Sequence, residues 1–166
     1  LNKRVRMIIG TDEESNWRCV DHNFEHEEMP AMGFAPDADF PIIYAEKGIA
    51  DYDLVSKAAG IEKEDFDAEV IEFSSGRRYN MVPDFAKVVL VVQQGQTDVV
   101  QRFDEFKRNN ELDGRAVVES GKLILELEGV SAHGMEPDNG KNAGLLMASF
   151  LSEMNLDGSS EKFFQF

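Results

Sequence analysis

The stretch Lys87-Val88-Val89-Leu90-Val91-Val92 decides the fold of this chain. Its five consecutive Val and Leu residues form the longest apolar run in the sequence. A short run of this kind, rich in β-branched residues, is typical of a strand that is buried on both faces of a sheet. A helix that crosses a membrane needs about 20 apolar residues. The sequence therefore predicts a central strand here and argues against a membrane partner.

The residues that follow predict the rest of a two-layer domain. Thr97 is suited to cap the N-terminus of a helix, and Ser120-Gly121 is suited to the turn of a hairpin between strands 116–119 and 122–128. Residues 143–154 repeat their apolar side chains with the period of a second helix. The apolar faces of the two helices are formed by Val99, Val100, Phe103 and Phe106, and by Ala143, Leu146, Met147, Phe150, Leu151 and Met154.

The order strand, helix, strand, strand, helix is typical of a ferredoxin-like α+β layer, in which two helices cover one antiparallel sheet. Such a layer contains one more strand, which we expect either to be missing or to lie just past Phe166. Residues 68–73 predict a further strand ahead of the layer.

The first part of the chain has a different character, which changes near Gly48. Short apolar runs predict strands at residues 5–9, 32–35 and 42–45, and residues 16–24 predict a helix. Polar loops with Gly and Pro separate these elements. We interpret them as strand ends and loops of an α/β unit whose remaining strands lie elsewhere, so we expect the chain to be a piece of a longer protein.

Acidic residues dominate the composition, with 32 Asp and Glu against 17 Lys and Arg, which gives 166 residues a net charge of −15. Between Asp12 and Glu72 there are 18 acids and 4 bases, so nearly all of the excess lies in one contiguous third. Nucleic-acid binding relies on basic residues that neutralise phosphates, and this balance argues against it. A single cysteine, Cys19, cannot form an intrachain disulfide. The acidic third is either a solvated surface or contains a few carboxylates that converge on a cation.

Two acidic motifs are candidates for metal chemistry. Glu13 and Glu14 follow the first predicted strand directly, where neighbouring side chains point in different directions. One carboxylate can then bind a metal while the other takes a proton from a metal-bound water, as metal-dependent hydrolysis requires. Asp37 lies between apolar residues and prolines, which places its carboxylate rigidly, although turn chemistry explains this residue equally well.

Two later residues are candidates for substrate contact. His133 follows a predicted strand and precedes a loop that contains Gly, Pro and Asn, where an imidazole can donate a hydrogen bond to a developing oxyanion. Asn80, in the stretch Arg77-Arg78-Tyr79-Asn80-Met81-Val82-Pro83-Asp84, can hydrogen-bond a substrate carbonyl. The ordinary polarity of surface loops also explains both residues.

Together these motifs resemble the M20 metallopeptidases, and within them most closely the bacterial PepV-type dipeptidases, which are also called Xaa-His or carnosinase-like dipeptidases. The distinctive motifs are Gly-Phe-Ala-Pro-Asp-Ala-Asp-Phe-Pro at residues 33–41 and Ser-Ala-His-Gly-Met-Glu-Pro at residues 131–137. The blocks at residues 10–15 and 80–83 occur in the family's order and rough spacing. The resemblance extends over essentially the whole chain.

The resemblance implies a role for each of the five candidate residues. Glu13 would be the general acid/base that activates the water and later protonates the leaving amine. Glu14 would be a ligand of one zinc ion, and Asp37 a ligand of the other zinc in a two-metal site. His133 would reach from a lid domain to stabilise the tetrahedral oxyanion, and Asn80 would be a second lid contact to the substrate.

The sequence also departs from the family pattern. The family uses an upstream His-x-Asp, a bridging aspartate and a histidine near its C-terminus, and this chain has no His-x-Asp. Its other histidines, His22 and His26, have an i, i+4 spacing that can bind zinc on a helix, but they match no ligand of the family and we interpret them as exposed helix residues. Zinc sites take three or four protein ligands that include His or Cys. We therefore expect incomplete zinc sites and an inactive isolated chain.

The resulting hypothesis is a fragment of a cytoplasmic, zinc-dependent metallodipeptidase that hydrolyses unblocked dipeptides. Residues 1–47 would be part of the catalytic α/β domain, and residues 48–166 the first subdomain of the lid. The alternatives are another M20 hydrolase, such as a deacylase or carboxypeptidase, and a non-catalytic acidic binding module on the same scaffold. If the parent protein lacks the His-x-Asp motif and the C-terminal histidine, the hypothesis that it is an enzyme is excluded. The oligomeric state is left open, including the pairing of two copies.

Overall fold

The computed structural model describes residues 2–13, 15–37, 41–53, 55 and 61–164. The chain divides into two compact units, residues 1–49 and residues 50–166. The helices and strands, in chain order, are α1 (Arg18–His26), β1 (Ala68–Ser75), β2 (Phe85–Val92), α2 (Gln96–Asn109), β3 (Gly114–Glu119), β4 (Lys122–Glu128), α3 (Ala143–Ser152) and α4 (Gly158–Phe164), with a short 3₁₀ turn at Pro137–Asn139. This is a mixed α/β fold.

The second unit is built on a four-stranded sheet with the strand order β1-β2-β4-β3. Each strand is antiparallel to its neighbours, and β2 pairs with both β1 and β4. The prediction of a central strand is therefore confirmed. Val88 lies opposite Phe73 of β1 and Leu125 of β4. Val88 and Leu90 are fully buried, because alternate residues of a strand face the same side.

Two helices form a common core with the sheet. Phe103 of α2 and Phe150 of α3 meet edge to face, with ring centroids 5.2 Å apart. Met147 and Leu151 of α3 are fully buried in the same cluster as Leu125 of β4. The predicted apolar faces of both helices are thus confirmed. Among the described helices, none has both the length and the apolar character needed to span a membrane.

The strand that completes the sheet precedes β2 in the chain and does not follow α3. Among the described residues no strand follows α3, so a strand past Phe166 stays a prediction. β1 occupies the outer position beside β2, and the half-buried side chains of Val70 and Phe73 pack against the core from there. β1 thereby completes a four-stranded sheet within the described residues.

The residues after α3 instead form a short contact with the beginning of β1. Ala68 and Leu156 make an isolated parallel bridge. The N–H of Asp67 donates to the carbonyl of Asn155 at 2.8 Å, and the N–H of Asp157 donates to the carbonyl of Ala68 at 3.0 Å. The bridge is parallel, so the chain at Leu156 runs in the same direction as β1 and continues into α4, whose Phe164 joins the core.

The two predicted turn residues have different outcomes. Ser120 and Gly121 both have positive φ, at 50° and 77°, as a two-residue turn of a hairpin requires, so this prediction is confirmed. Thr97 lies inside α2, and Gly95 takes the N-cap position with φ 73° and no side-chain cap. The prediction of Thr97 as the cap is wrong because the left-handed conformation of Gly95 starts the helix earlier.

The first unit contains α1, which confirms the predicted helix with its start shifted to Arg18. The strands predicted at residues 5–9, 32–35 and 42–45 are wrong, since these stretches form neither helix nor strand. Met7, Phe34 and Tyr44 have 85%, 93% and 97% of their surface exposed. A strand needs a neighbouring strand for its backbone hydrogen bonds, and the described residues of this unit provide none.

Candidate functional site

The loops that carry Asn80 and His133 lie side by side in the second unit. Met81 and His133 form an isolated antiparallel bridge. The N–H of Gly134 donates to the carbonyl oxygen of Asn80 at 2.7 Å. A Cβ atom on Gly134 would lie 3.1 Å from that oxygen, so glycine permits the close approach. The structure therefore brings together two of the predicted site residues that are far apart in the sequence.

The ring of His133 is exposed and is held by its own loop. The N–H of Met135 donates to Nδ1 of His133 at 3.1 Å. The N–H of Glu136 donates to the carbonyl of His133 at 2.9 Å, which closes a tight turn. A neutral imidazole that accepts at Nδ1 carries its proton on Nε2. The loop thus presents an N–H donor at the outer end of the ring.

Backbone contacts at its two ends fix the loop that carries His133. Val130 and Lys141 exchange two hydrogen bonds of 2.9 Å, and the N–H of Gly129 donates to the carbonyl of Asp84 at 2.8 Å. A Cβ atom on Gly129 would overlap the carbonyl oxygen of Lys141. The loop therefore leaves β4 and returns to α3 through a point of close backbone packing that admits only glycine.

A groove of about 510 Å³ lies beside this pair of loops. Its volume is within the range of small-molecule sites. Arg77 and Arg78 are among the residues that line the groove, as are Gly134 of the His133 loop and Asn142 at the start of α3. Guanidinium groups bind carboxylates through paired hydrogen bonds. A groove with two arginines in its wall is suited to a small anionic ligand, and it includes Tyr79, Met81 and Gly134, the chain neighbours of Asn80 and His133.

Tyr79, which also lines the groove, is hydrogen-bonded within the unit. Its hydroxyl donates to Oδ1 of Asp53 at 2.6 Å. This hydrogen bond, together with the negative charge of Asp53, raises the pKa of Tyr79 above its ordinary value. The phenol therefore stays protonated and ties residue 53 to the wall of the groove.

The remaining predicted residues belong to the first unit. Glu13 lies in a turn and is exposed, and Asp37 is exposed in a stretch without helix or strand. Glu14 lies outside the described residues. The roles of these three residues, like those of Asn80 and His133, remain predictions.

Asp12, the neighbour of Glu13, has a structural task. Its Oδ1 accepts the N–H of Cys19 at 2.9 Å and its Oδ2 accepts the N–H of Arg18 at 3.0 Å, at the start of α1. The Arg18 Nε lies 3.3 Å from the same Oδ2. Hydrogen bonds from the thiol and backbone of Cys19, followed by those of Arg18, lower the pKa of Asp12 from 3.8 to about 2. The carboxylate satisfies donors that the first helical turn leaves unpaired.

One group of described side chains has the composition of a metal site. His22, Glu25 and His26 lie on α1, and one ligand atom from each is within 4.8 Å of the other two. All three side chains are exposed, which confirms the prediction that His22 and His26 are exposed helix residues.

Sequence reasoning missed three of these residues. Asn142 caps α3 by accepting the N–H of Leu145 at 3.0 Å, and an Asn directly before an apolar helix was a signal for this. Glu25 stands three residues after His22 and so shares its helix face, which the spacing also indicates. Asp12 caps a helix that begins six residues later, and no local pattern reveals such a contact.

No model of a known protein family matches this chain. It is 51% identical over 164 residues to a protein of Staphylococcus epidermidis named "Putative dipeptidase". Proteins with the same name in Staphylococcus aureus and Staphylococcus haemolyticus are 50% and 49% identical over 164 residues. Each alignment covers 99% of this chain and 35% of the relative, so the chain spans about a third of the length of these relatives. Over nearly its whole length, this chain is therefore a homologue of one part of proteins that are named as dipeptidases.

Proposed function

We propose that this chain is part of a zinc-dependent dipeptidase of the M20, PepV-like type, which hydrolyses the peptide bond of unblocked dipeptides. The observation that carries the proposal is the pairing of the Asn80 and His133 loops beside a groove lined by Arg77 and Arg78. The names and the roughly 50% identity of the staphylococcal relatives support a dipeptidase independently.

The proposed zinc ligands fit only part of a site. Glu14 and Asp37 supply carboxylate oxygens, which zinc accepts, but structural and catalytic zinc takes three or four protein ligands, usually with His or Cys among them. The whole protein would have to supply the others, so the isolated chain should be inactive. When bound, the two ions would polarise the scissile carbonyl and lower the pKa of a water molecule.

The chain's own residues would handle protons and charge. Glu13, next to the ligand Glu14, would take a proton from the attacking water and return it to the leaving amine. The Nε2–H of His133 would donate to the oxygen of the tetrahedral intermediate, where negative charge develops. Asn80 would hydrogen-bond the substrate and fix its position against the lid.

The groove suggests how the free carboxylate of a dipeptide would be bound. Arg77 and Arg78 line it, and a guanidinium group binds a carboxylate with two parallel hydrogen bonds. This arrangement favours substrates with a free C-terminus. The order β1-β2-β4-β3 with two helices supports a ferredoxin-like lid subdomain at residues 48–166. We propose in addition that residues 1–47 are part of the catalytic domain. We further propose a cytoplasmic location.

The test uses the full-length parent protein, loaded with Zn²⁺ and assayed on three substrate classes. We expect hydrolysis of unblocked dipeptides, little hydrolysis of N-acetylated dipeptides or longer peptides, and loss of activity after chelation that added Zn²⁺ restores. Preference for N-acyl amino acids would instead identify a deacylase, and preference for longer peptides a carboxypeptidase. Binding of peptides without any hydrolysis would identify a non-catalytic binding module and overturn the proposal.

A further inference from the structure

Three side chains of α1 converge on one patch of the first unit. His22, Glu25 and His26 stand at i, i+3 and i+4, positions that lie on one face of a helix. The imidazole centroids are 4.3 Å apart, and one potential ligand atom from each of the three residues lies within 4.8 Å of the others. None of these residues has a role in the proposed dipeptidase.

A hydrogen bond to the backbone leaves the outer ring nitrogen of His26 available to a metal ion. Its Nδ1 lies 2.8 Å from the carbonyl oxygen of His22, and a carbonyl can only accept, so Nδ1 carries the proton. The lone pair of the neutral ring is then on Nε2, the outer nitrogen. Histidine ligands in metal sites are commonly oriented in this way, by donating their other N–H to a backbone carbonyl.

The electrostatic setting also favours a cation. His26 is the last residue of α1, where the helix dipole presents its negative end. Arg18, the base on the same helix face, has its Nε 3.3 Å from Oδ2 of Asp12, and Arg6 has its Nη2 2.9 Å from a carboxylate oxygen of Glu27, so a carboxylate already engages each of them. Glu25 supplies the negative charge that two neutral imidazoles lack.

We infer that His22, Glu25 and His26 form an accessory binding site for a divalent transition metal of the Zn²⁺ class. Two imidazole nitrogens select such ions over Mg²⁺ and Ca²⁺, which prefer oxygen ligands. A ligand set of two His and one Glu is known for zinc, with water in the open position. Tetrahedral zinc holds its ligand atoms roughly 3.4 Å apart, so rotation of these exposed side chains by a small amount closes the site.

The test adds Zn²⁺ to the 166-residue chain and follows the imidazole signals by NMR. The sequence has only three histidines, so each imidazole signal can be assigned to one residue. We expect one equivalent of Zn²⁺ to shift the signals of His22 and His26 and to leave those of His133 unchanged. Equal shifts of all three histidines, or no shift at all, would overturn the inference.

Three single substitutions to Gln, which is compatible with a helix, test whether each of the three residues is a metal ligand. His22→Gln, His26→Gln and Glu25→Gln should each weaken Zn²⁺ binding, measured by competition with a coloured chelator, by about tenfold or more, because even outer-shell partners are worth that much. His133→Gln is the matched control and should bind as the unmodified chain does. Circular dichroism checks that α1 remains folded. Unchanged affinity in any folded variant of His22 or His26 would refute the site.

Discussion

The backbone N–H of Met135 donates a hydrogen bond to Nδ1 of His133, with a distance of 3.1 Å between the two nitrogens. The two residues belong to one turn, so the loop itself orients the imidazole. Because the neutral ring accepts at Nδ1, its proton must lie on Nε2. The group that faces outward is thus a hydrogen-bond donor, which is what stabilisation of an oxyanion requires.

His133→Ala in the full-length parent should lower kcat by about 10²- to 10³-fold, because an oxyanion donor acts mainly in the transition state. The change in KM should be much smaller. Steady-state kinetics on an unblocked dipeptide measure both quantities. Glu105→Gln, on the exposed side of α2, is the control and should leave both unchanged. An effect confined to KM would mean that His133 only binds the ground state.

Glu13→Gln in the parent should leave the zinc content near normal and reduce kcat by about 10²- to 10⁴-fold, the usual contribution of a general acid or base. Metal analysis and kinetics on the same preparation separate the two effects. Glu14→Gln is the matched variant, and it should lose metal as well as activity. The reverse pattern would show that the roles of the two neighbouring glutamates are exchanged.

The 166-residue chain in which Glu14→Gln and Asp37→Asn are combined should bind Zn²⁺ as the unmodified chain does. Two carboxylates without an imidazole bind zinc weakly, so removing them should not measurably lower the affinity of the chain for Zn²⁺. Competition titration with a chelator provides the comparison. A submicromolar site that disappears in the double variant would contradict the expectation that the predicted zinc sites are incomplete in this chain.

Asp12 should titrate near pH 2 in the folded chain, since the pKa of its carboxyl is lowered from 3.8 to about 2. A carboxyl with a depressed pKa stabilises the fold above the unfolded value, and this contribution is lost as the pH falls from about 4 through 2. Carboxyl-carbon NMR measures the titration directly. Cys19→Ala removes the thiol donor and should move the pKa of Asp12 upward while the backbone N–H still lowers it. A titration near 3.8 in the unmodified chain would refute the cap.

Gly129→Ala should destabilise the second unit by about 1 to 3 kcal/mol, the usual cost of overpacking, because the new methyl group would overlap the carbonyl oxygen of Lys141. Urea unfolding measures the change. Gly48→Ala is the control: nothing lies within 4 Å of its added Cβ, and the change should stay within about 0.5 kcal/mol. Equal stability of the two variants would show that the loop after β4 tolerates displacement.

The sheet-and-helix layer could be predicted from the sequence because its signals are long and periodic. The apolar run of β2 and the apolar face of α3 each repeat over several residues, and the positive φ of Gly121 follows from its place in a hairpin. Pairing between strands has no such local signal. The sequence therefore predicted a strand at residues 68–73 without its place beside β2, and left the expected last strand either missing or just past Phe166.

The first unit shows the opposite limit. Its short apolar runs, such as those around Ile8 and Ile43, have the composition of strands. Composition does not provide the neighbouring strand that each of them needs for its hydrogen bonds, and both isoleucines are exposed. The candidate site also combines a feature that the sequence predicts with one that it does not. The motif containing His133 was visible in the sequence, but its approach to Asn80 depends on a backbone bridge that only the fold creates.

The bridge between Ala68 and Leu156 joins the start of β1 to the segment that follows α3. Because the two segments run parallel, α4 continues along β1 and brings Phe164 against Phe73, with the ring centroids 5.3 Å apart. The N–H of Val70 also donates to the hydroxyl of Ser160 at 3.2 Å. β1 and α4 therefore form one cooperative unit, in which neither element can detach without exposing the apolar residues of the other.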